Sequence, residues 1–298
     1  MLEIYKKCNL CPRNCLIDRT KSLGYCKATD KVKVARSALH YYEEPSISGN
    51  NGSGTIFFSN CNLKCCYCQN KEISTDGFGK EVSIERISEM MLELEEKHAN
   101  NINLVTPTHY VPSIIEAIKL ARSKGLSIPI VYNTSGYENV ETLKLLDGYI
   151  DIYLTDFKYF DNKLGKDLSK CSNYFEITSK ALDEMYRQTG KNKFNDDGLI
   201  TKGIIVRCLV LPTKSDDTKE IINYLYKKYQ DNIYLSIMNQ YTPVNHIKDY
   251  TFLNKTVSED EYNEVINYAL DLGIKNAYMQ EGGTCSESFI PSFDLEGV

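Results

Sequence analysis

No stretch of the 298 residues approaches the roughly 18–20 consecutive apolar positions that a membrane-spanning helix needs. The opening segment, MLEIYKKCNLCPRNC, has no apolar core of the kind a secretory signal carries, so export is not expected. Basic charge is not in excess: 35 Lys and Arg face 40 Asp and Glu, for a net charge of −5. A broad nucleic-acid-binding surface is therefore not expected. Repeats and low-complexity tracts are absent too. With 42% hydrophobic and 25% charged residues, the chain is neither disordered nor collagen-like. These exclusions leave a cytoplasmic globular protein of one large domain with an appendage, or two modest domains.

Cysteine is the exception. There are 11, most of them in two tight clusters within the first 68 residues. An odd number cannot pair fully, and a secreted disulfide scaffold is usually shorter. Metal ligation is the simpler use.

From residue 54 onward, short apolar or β-branched runs alternate with helical patterns. Strands are expected at 54–59, 102–106, 128–132, 149–155, 203–211 and 232–238, with a short seventh at 274–279. Helices are expected at 83–100, 111–124, 138–147, 174–189, 216–229 and 258–272. Ser83 offers an N-cap, Pro112 sits in a first turn, Gly125, Gly148 and Gly190 follow helix ends, and Ser258 to Glu261 has capping-box spacing. Continuous apolar strands separated by helices imply parallel βαβ units, either doubly wound or closing as a barrel. In both, functional groups gather at the C-terminal ends of the strands.

The end of the first strand reads Ser-Asn-Cys61-Asn-Leu-Lys-Cys65-Cys66-Tyr67-Cys68. Cys61, Cys65 and Cys68 are spaced to ligate one compact soft metal centre. Three ligands on a cubane 4Fe–4S cluster leave one iron open to a small molecule. A structural zinc loop is the alternative, but it wants a fourth ligand, and Cys66 is awkward because it adjoins Cys65.

Cys-x3-Cys-x2-Cys with an aromatic residue before the third cysteine resembles the signature of radical S-adenosylmethionine enzymes. The resemblance implies a partial (β/α)6 TIM-like barrel over about residues 54–240. It implies a 4Fe–4S cluster whose open iron is chelated by S-adenosylmethionine. Reductive cleavage then yields a 5′-deoxyadenosyl radical that abstracts a hydrogen atom, with electrons from a flavodoxin or ferredoxin-type donor. Further segments resemble the PflX-type proteins, relatives of the pyruvate formate-lyase activating enzyme: CNLCPRNC at 8–15, EEP at 43–45, SGTIFF at 53–58, NLVTPTHY at 103–110 and YNTSGY at 132–137. The substrate implied is a protein, a peptide or a small molecule, and a glycyl-radical-enzyme activase is the most specific version.

The resemblance places further residues at the strand ends. The turn Thr106-Pro107-Thr108-His109 stands where the family often has a Gly-Gly-Glu-like turn for the methionine amino group. Asn133, with Thr134 and Ser135, follows the third strand; Asp156 and Lys158 follow the fourth. Arg207, inside the apolar fifth strand, must find a partner and resembles the strand arginine that contacts S-adenosylmethionine in activating enzymes. Gln240 after the sixth strand and Tyr67 beside the cluster are expected near adenine. Tyr67, Thr106, Thr108, His109, Asn133, Asp156, Lys158, Arg207 and Gln240 are thus the expected cofactor contacts. Glu43 and Glu44 are weaker candidates, and the Gln280–Thr284 turn is a candidate cap over the barrel.

Cys8, Cys11, Cys15 and Cys26 put four thiols in one short window with little apolar content. They are expected to close an auxiliary iron–sulfur cluster or a zinc site, with Pro12 and Arg13 ordering the loop. Cys66, Cys171, Cys208 and Cys285 remain as free thiols. The expected organisation is a Cys-rich extension at 1–50, the barrel at 51–245 and a helix and tail at 246–298. A non-enzymatic zinc-thiolate binding module is the competing class.

Overall fold

The computed structural model describes residues 1–243, 247–280 and 290–298. The chain begins with a 3-10 turn, Leu2–Lys7, and loops that carry the first cysteines. It then forms β1 (Val32–His40), the short α1 (Pro45–Ser48), β2 (Ser53–Phe58), α2 (Lys71–Ser74), β3 (Lys80–Val82) and α3 (Ile84–Glu96). β4 (Ile102–Val105), α4 (Val111–Ser123), β5 (Ile130–Thr134), α5 (Val140–Leu145) and β6 (Ile152–Asp156) follow. After α6 (Asn162–Ser169) and α7 (Tyr174–Thr189) come β7 (Lys193–Phe194), β8 (Ile200–Leu209), α8 (Ser215–Tyr229), β9 (Tyr234–Met238), α9 (Glu259–Asp271) and β10 (Ala277–Met279).

Local chemistry sets most helix boundaries. The Ser83 hydroxyl accepts from the Arg86 N–H, and Ser258 with Glu261 forms the full capping box. Besides the short α1, α2, β3 and β7, two longer elements escaped the sequence reading. β1 lies within the stretch expected as a Cys-rich extension, and its Lys33, Arg36 and Ser37 interrupt the alternation. α6 is polar and interrupted by Gly165.

β2, β4, β5, β6, β8, β9 and β10 pair in parallel, in that order, and β1 and β3 extend the β2 edge antiparallel. The order never reverses, so there is no switch point of a doubly wound sheet; successive right-handed crossovers put the helices on one side. The fold is the partial-barrel type, and the seventh parallel strand at its edge is the short one expected near 274–279.

Strand alternation divides each residue pair between two faces. Tyr132, Tyr153, Ile204 and Val206 pack in the large core under the helices. Val131, Leu154 and Ile205 form a small cluster on the opposite, inner face. In register with those inner positions, toward the strand C-termini, stand Asn133, Asp156 and Arg207. The inner face is thus apolar below and polar at the mouth. Residues 290–298 run along β1, where Leu295 N–H reaches the Ala35 carbonyl at 3.2 Å and Ser37 N–H reaches the Glu296 carbonyl at 2.8 Å. Of the turn expected at 280–284, residues 281–284 lie outside the described residues, as does Cys285. No described helix is long and apolar enough to cross a membrane.

The strap between β5 and α5 turns at Gly136 (φ +77°), where a Cβ would run into the Asp156 carbonyl and stand 2.8 Å from Thr178 Cγ2. Gly136→Ala is expected to lower the unfolding free energy by about 2–4 kcal/mol in chemical denaturation. An unchanged midpoint would contradict this close approach of the strap to β6.

Candidate functional site

The strand C-termini open into a cavity of about 260 Å³. Three cysteines line it: Cys61, Cys65 and Cys68. Cys66 does not, because its N–H donates to the Leu168 carbonyl at 2.9 Å and turns it away. The loop begins at Asn60, whose positive φ of 74° starts the turn out of β2. Each sulfur has at least one hydrogen-bonding neighbour. Leu63 N–H is 3.4 Å from Cys61 Sγ, Ser169 Oγ is 2.8 Å from Cys65 Sγ, and Ser74 Oγ is 3.2 Å from Cys68 Sγ. Burial pushes the Cys61 and Cys65 thiols up, Cys65 to about 11 with Lys158 pulling the other way.

Among the described residues, no three Cys, His, Asp or Glu side chains stand close enough to grip a single ion. A cubane cluster is wider than an ion. Three hydrogen-bonded thiols on a cavity wall, with no fourth cysteine lining it among the described residues, are the donor set that a cluster with one open iron requires. The residues therefore fit such a group, with Cys61, Cys65 and Cys68 holding it.

Of the nine expected cofactor contacts, seven line this cavity: Tyr67, Thr106, Asn133, Asp156, Lys158, Arg207 and Gln240. Thr106 is held at φ +59°, an uncommon conformation for a β-branched residue. Tyr67 packs edge-on to Tyr241, and its hydroxyl is 2.6 Å from that of Tyr159, which in turn is 2.6 Å from Ser169 Oγ. A hydroxyl chain thus ends on Cys65. Lys158 Nζ sits 2.5 Å from Asp156 Oδ2. Burial alone would lower the lysine pKa, but Asp156 and the nearby Cys65 outweigh it and raise it. Gln240 Oε1 accepts from Gln280 Nε2 at 3.4 Å.

Arg207 finds the partner its burial demands. Its Nε and Nη2 donate to the two Glu44 carboxylate oxygens at 2.7 Å each, and Nη2 also pairs with Glu43. Glu43 accepts from Asn103 Nδ2 at 3.0 Å. Burial would raise the Glu44 carboxyl pKa, but Arg207 overrides it and holds it below the usual range. The guanidinium is therefore committed to two side chains of this chain while still facing the cavity.

Thr108 and His109 do not line the cavity, contrary to expectation. The turn after β4 is a 3-10 turn over Thr108–Tyr110 that carries both side chains inward. Thr108 Oγ1 donates to Glu138 Oε1 at 2.5 Å, and Thr134 donates to the same oxygen. His109 Nε2 is 2.8 Å from the Ser59 carbonyl. Burial, with Arg19 beside it, lowers the His109 pKa to about 3, so the ring is neutral.

The N-terminal segment packs against the same loop. Arg13 does not reach a sulfur. Its Nε donates to the Asn62 carbonyl at 2.9 Å, and its two terminal nitrogens donate to the Lys170 and Ser169 carbonyls at 2.5 and 3.3 Å. Cys8, Cys11, Cys15 and Cys26 line one small cavity, together with His109. All ten cysteines among the described residues are free thiols.

Sequence reasoning missed Ser169, Arg19 and Glu138. Glu138 had the best available signal, a carboxylate closing the polar Asn133–Gly136 strap. It is buried, and burial pushes its carboxyl up to about 7 against the two threonine hydroxyls. The native chain then keeps a proton between about pH 4.5 and 7 that the unfolded chain has lost, so stability falls as pH rises through that window. Relative to the parent, Glu138→Gln is expected to gain about 3 kcal/mol between pH 4.5 and 8. Denaturation at several pH values measures it, and a pH-independent difference would contradict the buried, protonated carboxyl.

The model of the radical SAM superfamily matches residues 55–225. An uncharacterized protein of Methanocaldococcus jannaschii is 31% identical over 282 residues, 91% of this chain and 77% of that protein. The pyruvate formate-lyase-activating enzyme of Clostridium pasteurianum is 25% identical over 197 residues, 61% of this chain and 72% of that enzyme. Among solved structures, HydG, a maturase of the [FeFe]-hydrogenase, superposes with a TM-score of 0.51 at 15% identity. That match covers 80% of this chain and 54% of HydG, so this chain spans about half of its length.

Proposed function

Because this chain belongs to the radical S-adenosylmethionine superfamily, we propose that it cleaves S-adenosylmethionine reductively at a 4Fe–4S cluster held by Cys61, Cys65 and Cys68, and abstracts hydrogen from a protein substrate as a glycyl-radical-enzyme activase. That it is an enzyme using an iron–sulfur cluster and S-adenosylmethionine follows from the family. The likeness to a pyruvate formate-lyase-activating enzyme supports a protein substrate. The observation that carries the cluster assignment is the cavity wall with three cysteines and, among the described residues, no fourth. A cluster held there would supply the single electron needed to cleave a C–S bond of S-adenosylmethionine, releasing methionine and leaving the hydrogen-abstracting radical.

The chain's own residues bind, orient and exclude water. Cys61, Cys65 and Cys68 supply thiolates, and Leu63, Ser169 and Ser74 orient them. The strained Thr106 and Asn133, at the ends of β4 and β5, face the bound cofactor. The Asp156–Lys158 pair keeps charge fixed at the mouth. Tyr67 and Gln240 offer an aromatic edge and an amide to adenine. Ile290 and Pro291 close the cavity on the β1 side. Electrons come from a flavodoxin or ferredoxin-type protein. The N-terminal cysteines form a second, closed metal site that takes no substrate. A radical modification of a small molecule or short peptide is the other reading within the family.

Anaerobically reduced protein with S-adenosylmethionine is expected to release 5′-deoxyadenosine, and Cys65→Ala to reduce that to background. Release undiminished in Cys65→Ala would contradict the assignment. Mixed with the glycyl-radical enzymes of its own organism, the parent is expected to raise a stable carbon-radical resonance in one of them. Its absence from all of them, with 5′-deoxyadenosine still formed, would favour the small-molecule or peptide reading.

A further inference from the structure

His109 is a buried imidazole that the active site does not use. Its Nε2 faces the Ser59 carbonyl, which only accepts, so the proton is on Nε2 and Nδ1 carries a lone pair. That Nδ1 is buried and has no hydrogen-bond partner. The residue itself is 1% exposed, and it lines the same small cavity as the four N-terminal cysteines. An imidazole with one nitrogen on a backbone carbonyl and the other bare among thiols is the arrangement of a metal-ligating histidine.

A second observation is independent of the first. Arg19 is also 1% exposed. Its guanidinium donates to the carbonyls of Ala28, Thr29 and His109, all neutral acceptors. Its Nη1 lies 3.8 Å from Cys8 Sγ. A buried cation surrounded by neutral acceptors calls for an anion. One divalent ion with three thiolates and a neutral imidazole carries a single negative charge and balances it.

Size separates the metals. The cavity is about 10 Å³, room for one water-sized body, so a single ion needs less rearrangement of the lining than a cubane does. We propose that Cys8, Cys11, Cys26 and His109 bind one structural zinc ion. Cys15 stays outside the set: it is the least buried of the four cysteines. No three of these donors meet at ion distance as they stand, so the thiols must turn toward the ion when it binds. The same absence of convergence holds for Cys61, Cys65 and Cys68. The ion then anchors, through His109, the Ser59 carbonyl just before the active-site loop.

This inference rests on reading the N-terminal cysteines as a metal site. The test uses the full chain with Cys61, Cys65 and Cys68 replaced by alanine, so that the active-site cluster contributes nothing, and loads it with zinc. X-ray absorption at the zinc edge is expected to show one imidazole nitrogen and three sulfurs. In that background His109→Ala is expected to weaken zinc at least ~100-fold in competition with a chromophoric chelator, and Cys15→Ala to leave affinity and spectrum in place. A four-sulfur shell, undiminished affinity in His109→Ala, or a loss that falls on Cys15→Ala overturns the ligand set. A chain that takes up no zinc, or carries iron and sulfide there, overturns the ion site itself. If His109→Ala fails to fold, the spectrum of its parent decides.

Discussion

Residues 59–70 carry the cysteine triad without a strand or helix of their own. Their backbone polar groups must therefore be satisfied from outside, and much of the molecule is arranged around that demand. His109 holds the Ser59 carbonyl, Arg13 the Asn62 carbonyl, and the Leu168 carbonyl the Cys66 N–H. The Asn62 side chain reaches the Tyr137 carbonyl at 2.8 Å. The N-terminal segment, the turn after β4, the strap after β5 and α6 each contribute a contact. A loop fixed from four directions keeps three sulfurs at set positions, which a cluster with one open iron requires.

The sheet supplies the other half of that precision. Because the parallel strands follow one another in order, their C-terminal ends form a continuous mouth, and alternate residues face inward at each. This is how Asn133, Asp156 and Arg207 come to share one wall with the cysteines. Arg207 sits in the strand because Glu43 and Glu44, carried by the β1–α1 connection, neutralise it. Breaking either side of that pairing would leave a buried charge uncompensated.

What could be read in the sequence was what depends on near neighbours. Ser83 and Ser258 announce their helices because a cap needs only three following residues. The triad was legible because its ligand spacing is local. The need of Arg207 for a partner was also legible, but not the partner, which lies more than 160 residues away at Glu44. The inward rotation of Thr108 and His109 follows from one 3-10 turn that composition does not mark. Ser169 and Arg13 act across the fold on Cys65 and on backbone carbonyls, contacts that periodicity cannot register. β1 was hidden because Lys33, Arg36 and Ser37 interrupt the alternation that marks a strand.

The account depends on an iron within that loop left open to S-adenosylmethionine. Electron–nuclear double resonance on the anaerobically reduced protein, mixed with S-adenosylmethionine labelled with 15N at its amino group, addresses this directly. A cluster resonance that changes on addition and carries 15N coupling is the expected result. A resonance indifferent to S-adenosylmethionine, with no coupling, would contradict the assignment of Cys61, Cys65 and Cys68 to an open-iron cluster.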